Sequence, residues 1–229
     1  RNASGKRETY PRCPTHCSLS PLGTKRSRIS SPPAPSPSGK SSLGCDFGQS
    51  SGRAPTGGNT QPWRIVALTD ADKKQALQDL YKPHWDSYLP GYEARLSHMP
   101  EDARASSVKA MDAGNYLAAH MHEAPLIAVF CFNPKLMTIT DSELDRPSVV
   151  GGGSVYPAVQ NFLLACRNEG LGCVLTTLLC YEEDAVKNLL GIPEDWYPCA
   201  HIPVGYPVLG GHGSIRRRAL DQMVRYNQW

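Results

Sequence analysis

The sequence predicts a single α+β domain behind an atypical N-terminal segment, and three observations carry that expectation. Short unbroken apolar runs at Arg64–Leu68, Leu126–Phe132 and Cys173–Leu179 read as buried strands bounded by turn signals. Apolar stripes at helical spacing lie around and between those runs. The chain of 229 residues fits one domain, whose core would bury roughly 70% of the unfolded chain's surface without covalent staples.

Residues 1–52 differ from everything after them. Ser, Pro, Gly and basic residues dominate, acids are few, and neither a helical nor a strand period is present. Such a segment cannot bury enough apolar surface to offset its ordering entropy, so it is expected to be disordered. Its Arg- and Ser-rich, acid-poor composition also fits a transit peptide. The domain proper is therefore expected over residues 53–229.

Composition excludes several function classes. A formal net charge of +3 is too small to argue for a nucleic-acid partner. No stretch approaches the roughly 18–20 apolar residues that would span a bilayer. Of eight cysteines, Cys131, Cys166, Cys173 and Cys180 sit in apolar runs, where free Cys behaves as a small buried hydrophobe. Cys13 and Cys17 have no second pair at zinc spacing, so no metal site is expected. These placements point to a reducing compartment, cytoplasmic unless the N-terminal segment is a transit peptide.

The chain is organised around Arg53–Trp63. A proline fixes φ, two glycines can take positive φ, and the amides of Asn59 and Gln61 can donate and accept at once. Trp63 can anchor the loop by burial ahead of the first strand. A flat polar heterocycle is the kind of ligand such a loop suits; an ordinary Gly-rich turn before a strand has the same composition.

The elements follow in order. Asp70 or Thr69 can cap a helix whose stripe of Ala76, Leu77, Leu80 and Tyr81 runs as far as Pro83. Residues 83–110 are aromatic, proline-broken and expected to be irregular. Asp112–Glu123 reads as a helix ending before Pro125. His120 and His122 are at i and i+2, point to different faces, and so do not make a metal pair. The glycine run Gly151–Gly153 lacks the Gly-Lys-Ser/Thr of a phosphate loop. It leads into a helix, Val155–Arg167, apolar on nearly all faces and hence deeply buried or at a subunit interface. Thr176 and Thr177 lie inside the third apolar run, where their hydroxyls need partners. A helix over Glu182–Leu190 is stopped by Gly191 and Pro193.

Three stretches carry a family resemblance. Ala54-Pro55-Thr56-Gly57-Gly58-Asn59-Thr60-Gln61-Pro62-Trp63 resembles the A-P-S-G-G-N-x-Q-P-W signature of the FMN-dependent nitroreductase family, with Thr56 in place of the usual Ser. Gln160-Asn161 with Glu169-Gly170-Leu171-Gly172 resembles that family's Gln-Asn-Leu-Leu-Leu-Ala-Ala…Gly-Leu-Gly segment. Ala200–Pro207 is similar to its closing strand with Gly-Tyr-Pro.

The resemblance implies a nitroreductase-like fold, a central and mainly antiparallel sheet flanked by helices. It implies a homodimer with FMN at the subunit interface. Pro55, Thr56, Gly57, Asn59 and Gln61 would hold the flavin ring, with Gln160 on its pyrimidine side and Thr176 and Thr177 at its polar edge. Arg216, Arg217 and Arg218 would bind the phosphate through charge-assisted bonds worth roughly 1.5–3 kcal/mol each. Trp85 and Tyr88 would contact substrate from a flap, or else only pack that flap against the body. The implied activity is hydride transfer from NAD(P)H through the flavin to a nitroaromatic, quinone or similar acceptor by a ping-pong scheme, the chemistry being carried by the cofactor. Reductive dehalogenation of an aromatic and flavin-consuming chemistry are the other activities the fold suggests.

The resemblance fails ahead of Arg53. The family's phosphate-gripping helix, with its Arg-Ser-x-Arg motif, has only a faint echo in Lys25-Arg26-Ser27-Arg28. An out-of-frame or mis-spliced N-terminal translation would explain that, and a cofactor-poor relative that only binds a ligand or partner is the non-enzymatic alternative.

Overall fold

The computed structural model describes residues 29–30, 48–208 and 217–229. Cys13, Cys17, the Lys25–Arg28 echo, Arg216 and most of the N-terminal segment lie outside the described residues. Within it, Ile29–Ser30 forms a short strand, β1, and residues 48–52 make a helical turn ahead of the expected boundary at Arg53.

The sheet is antiparallel throughout its described pairs, in the order β1-β5-β3-β2, with β4 also on β5. Its remaining strands are β2 (Trp63–Leu68), β3 (Leu126–Phe132), β4 (Gly172–Cys173) and β5 (Tyr197–Pro207). β3 is central, as its unbroken apolarity requires, and its residues alternate between two cores. Ala128 and Phe130 face α3 (Tyr156–Asn168) with Val159 and Phe162. Ile127, Val129 and Cys131 face the other side with Leu77, Tyr81, Met121 and Val186.

That second side is covered by α1 (Ala71–Ser97), α2 (Glu101–His120) and α4 (Glu183–Leu190). Asp70 caps α1 by accepting from the Lys73 backbone N–H at 2.9 Å. The sequence expectation of a helix ending at Pro83 and an irregular stretch to residue 110 is corrected here. α1 continues through Pro83 and Pro90. Each proline forfeits a backbone bond, and packing on both sides compensates. Tyr81 is buried just before Pro83, and Trp85 lies against Gly114 of α2. A Cβ at Gly114 would sit 2.2 Å from that indole, so only glycine lets the two helices approach this closely. Trp85 Nε1 donates to Asn115 Oδ1 at 2.8 Å, and Tyr92 Oη donates to the Ser107 carbonyl at 3.2 Å.

The expected strand over Cys173–Leu179 is also corrected. Only Gly172–Cys173 pairs regularly, and Leu178–Glu182 is a 3-10 turn. Thr176 rejoins β5 in an isolated bridge with His201, each backbone N–H donating to the other's carbonyl at 3.0 Å. The bridge keeps the register of Gly172 with Gly205, which sets Val174 opposite Pro203. Pro203 has no N–H to give at that position, so the ladder breaks there.

α4 ends at Gly191, which takes φ 68° as the left-handed cap anticipated from sequence. The two histidines of the 120–122 stretch bond elsewhere. His120 Nδ1 lies 2.9 Å from Glu123, and His122 Nδ1 lies 2.7 Å from Gln78 Oε1. Among the described residues no group of three His, Cys, Asp or Glu side chains could hold a metal ion, and no helix is long and apolar enough to cross a membrane.

Candidate functional site

The loop between the helical turn at 48–52 and β2 is held in a conformation ordinary sequences avoid. Thr56 is extended, and Gly57–Asn59 form a 3-10 turn. Gly58, Asn59 and Gln61 then take φ of 58°, 56° and 48°. Gly and Asn tolerate that region, whereas a left-handed Gln costs on the order of 1–2 kcal/mol. The surrounding bonds maintain it. The Gln61 backbone N–H donates to Thr56 Oγ1 at 3.1 Å, and Thr60 Oγ1 donates to the Gly57 carbonyl at 3.1 Å.

Two side chains from outside the loop grip its ends. Ser154 Oγ accepts from the Gly57 N–H at 3.0 Å. Arg64 Nη1 donates to the carbonyls of Gln61 at 3.1 Å and Trp63 at 2.7 Å, with its guanidinium 5.0 Å above the Trp196 ring. Ser154 is itself placed by the loop that Asp141 organises. Asp141 is buried and accepts from the Val149 N–H, Ser148 Oγ and Arg146 Nη1 at 2.7–2.8 Å. The Val149 N–H and then the Ser148 hydroxyl hold its carboxyl below the usual carboxylate range. The helical turn before the loop is tied to α3 by Asn161 Nδ2, which donates to the Ser50 carbonyl at 3.1 Å.

With its backbone fixed, the loop turns Pro55, Gly57, Asn59 and Gln61 to solvent and leaves Thr56 half-buried. Beside it a cavity of about 330 Å³ opens on the α3 face of the sheet. Gln61, Trp63, Ile65, Ala128 and Phe162 are among its walls. Trp63 Nε1 is buried there with no protein partner. Exposed amides on a fixed turn, an apolar floor and an orphaned indole donor fit a flat heterocycle with polar edges, the chemistry of a flavin ring.

The other sequence candidates are more scattered. Gln160 is exposed on α3, the helix that begins two residues after Ser154 and carries Asn161. Thr176 is buried, and its hydroxyl lies 3.4 Å from that of Tyr81, which places it with the closed core. Thr177, next along, is exposed. Trp85 is engaged with α2, whereas Tyr88 is 45% exposed and its ring lies 5.8 Å from the Trp85 ring. Arg217 and Arg218 are exposed ahead of the 220–222 turn.

Sequence reasoning missed Ser154, Asp141 and Arg64 as supports of the loop. A serine closing a glycine run and an arginine directly after Trp63 were the only signals. Neither says which backbone atoms it would hold.

Comparison with known proteins agrees with this architecture. The profile of the Nitroreductase family matches residues 46–206. Iodotyrosine deiodinase 1 of Rattus norvegicus is 26% identical, over 77% of this chain and 58% of its own length. The 5,6-dimethylbenzimidazole synthase of Rhodospirillum rubrum is 28% identical, over 67% of this chain and 66% of its own. The chain thus spans about three-fifths to two-thirds of the length of these relatives. Among solved structures, the NADPH:FMN oxidoreductase from Vibrio harveyi complexed with NAD+ superposes with a TM-score of 0.58 at 20% identity, covering 88% of this chain and 72% of that one. A BluB-like flavoprotein from Clostridium difficile gives 0.57 at 17% identity, covering 83% and 91%.

Proposed function

The chain belongs to the nitroreductase family, and on that premise we propose that it is an FMN-dependent oxidoreductase acting on a small aromatic or quinone acceptor. The observation that carries this reading is the left-handed turn at Gly58–Gln61, pinned by Ser154 and Arg64 beside the α3-face cavity. When bound, FMN would supply the redox chemistry, hydride transfer between NAD(P)H and the acceptor in a ping-pong scheme.

The protein's share is binding and orientation. The backbone of Pro55–Gly57 and the side chains of Thr56, Asn59 and Gln61 would meet the polar edge of the ring, with Gln160 offering a further amide from α3. Trp63 Nε1 is a ready donor to an acceptor atom lying in the cavity. Thr177 is the hydroxyl of the pair that faces outward. Arg216, Arg217 and Arg218 would hold the phosphate by charge-assisted bonds. Tyr88 is exposed on α1, over the other face of the sheet, and with Trp85 as its support it would contact the acceptor only from across the subunit interface. A homodimer would bring two such sites to the subunit interface. Similarity to a deiodinase and to a synthase keeps a halogenated aromatic among the acceptors to be tried.

The test is direct. The purified chain, supplied with FMN, is expected to retain one yellow flavin per chain and to oxidise NADH or NADPH when a nitroaromatic, a quinone or an iodinated phenol is added. A colourless, inactive dimer would overturn the oxidoreductase reading and favour a module that only binds a ligand or partner.

A further inference from the structure

Two cysteines outside the flavin scheme are brought together by the fold. Cys166 is in the last turn of α3, fully buried, and Cys173 ends β4, half-buried. The chain between them doubles back sharply. The Leu171 N–H donates to the Cys166 carbonyl at 2.8 Å, and Gly170 takes φ 72° to allow it. Cys173 then pairs with Val204 and packs into the same apolar cluster as Cys166 and Leu171. In that shared cluster the two side chains lie close enough for each to move the other's ionisation.

We propose that Cys166 and Cys173 are a modification site, a dithiol that closes to an intramolecular disulfide when a hydroperoxide reaches Cys173. The thiolate sulfur of Cys173 attacks one peroxide oxygen, the O–O bond breaks, and the other oxygen leaves as an alcohol or water after taking a proton. Cys173 is then a sulfenic acid. The Cys166 sulfur attacks it, the S–S bond forms, the S–O bond breaks, and water leaves with the Cys166 proton. Two thiols are oxidised by two electrons in all, and the hydroperoxide is reduced.

The surroundings single out Cys173 as the attacking sulfur. Cys173 is the half-buried member of the pair and Cys166 the fully buried one. The neighbouring Cys166 thiol holds Cys173 below the ordinary value, while Cys173 and burial push Cys166 up. Burial pushes Cys131 and Cys199 up to about 12, and it raises Cys180 as well. A bridge here would tie the end of α3, the helix carrying Gln160, to the strand leading into Thr176 and Thr177. The inference rests on the thiol pair alone and does not require that FMN bind.

The experiment uses the full chain, as purified, exposed to increasing hydrogen peroxide and then digested without reductant. The expected result is loss of two free thiols per chain and a crosslinked peptide pair joining the segment ending at Arg167 to the segment beginning at Asn168. That crosslink is expected to vanish in Cys173→Ser, which leaves Cys180 in place. In Cys166→Ser, Cys173 is expected to stop at the sulfenic acid and be trapped by dimedone. The wild-type digest decides the matter even if either variant fails to fold. Oxidation of Cys180 or of the buried thiols before any 166–173 crosslink forms would overturn the proposal, as would a crosslink that survives in Cys173→Ser.

Discussion

The two faces of the sheet are built to different standards. Beneath α1, α2 and α4 the strands meet Leu77, Tyr81, Met121, Leu179 and Val186, each at most 2% exposed. On the other face α3 covers β3 and β5, but β2 keeps Trp63 and Ile65 only partly covered around an open cavity. The closed face also encloses His201, with neither ring nitrogen partnered, while the open face spends its polar groups on the turn that borders the cavity. One face therefore holds the domain together, and the other is left incomplete where a ligand can complete it.

Substitution should separate the two faces most clearly. Leu77→Ala, in the closed core, is expected to cost about 2–5 kcal/mol of stability, whereas Ile65→Ala beside the cavity is expected to cost under about 2 kcal/mol. Urea unfolding of both variants measures the gap, and equal losses would mean that the faces are equally packed.

The closed face should also dominate the response to acid. Burial holds His201 neutral, its folded-state value depressed from 6.5 to about 4. The unfolded chain takes up a proton before the folded one does. The contribution to stability is complete above pH 6.5, falls as pH drops, and is fully lost near pH 4. The span corresponds to about 3 kcal/mol. His201→Leu should flatten that part of the profile. An unchanged acid slope in the variant would show that other groups carry it.

On the open face the proposed function places the expected effects in FMN binding more than in folding. Arg64→Met removes two bonds to the loop carbonyls and the contact with Trp196. The expected loss is about 1–2 kcal/mol in holding the turn, read as a roughly tenfold weaker affinity for FMN in a fluorescence titration. Ser154→Ala removes one neutral bond at the other end of the turn and should weaken FMN only a few-fold, on the order of 0.5–1 kcal/mol. A larger effect at Ser154 than at Arg64 would reverse the assignment of which end governs the loop.

The sequence made this division partly visible. Leu126–Phe132 announced a strand buried on both faces, Gly191 announced a helix stop, and the Arg53–Trp63 run announced a turn whose glycines can take positive φ, which Gly58 does and Gly57 does not, Asn59 and Gln61 taking it instead. Two elements were hidden because a proline had opposite consequences in each. Pro83 and Pro90 argue against a helix, yet the fit of Trp85 onto Gly114 carries α1 through both. Pro203 passes unnoticed in its own strand, but its missing N–H cuts the ladder opposite Val174. The supports of the turn were hidden for a different reason. Ser154 is 97 residues from Gly57, and a hydroxyl bonding to a backbone N–H leaves no pattern in composition or period.

FMN titration of the full chain, monitored by flavin fluorescence, bears most directly on the proposed role of the Gly58–Gln61 turn. One flavin per chain is predicted to bind with quenched emission, and Gln61→Ala, which removes an exposed amide from the turn, is predicted to weaken it about tenfold, a single hydrogen-bonding side chain being worth roughly 1–1.5 kcal/mol. No saturable binding, or the same affinity with and without the Gln61 amide, would contradict the account.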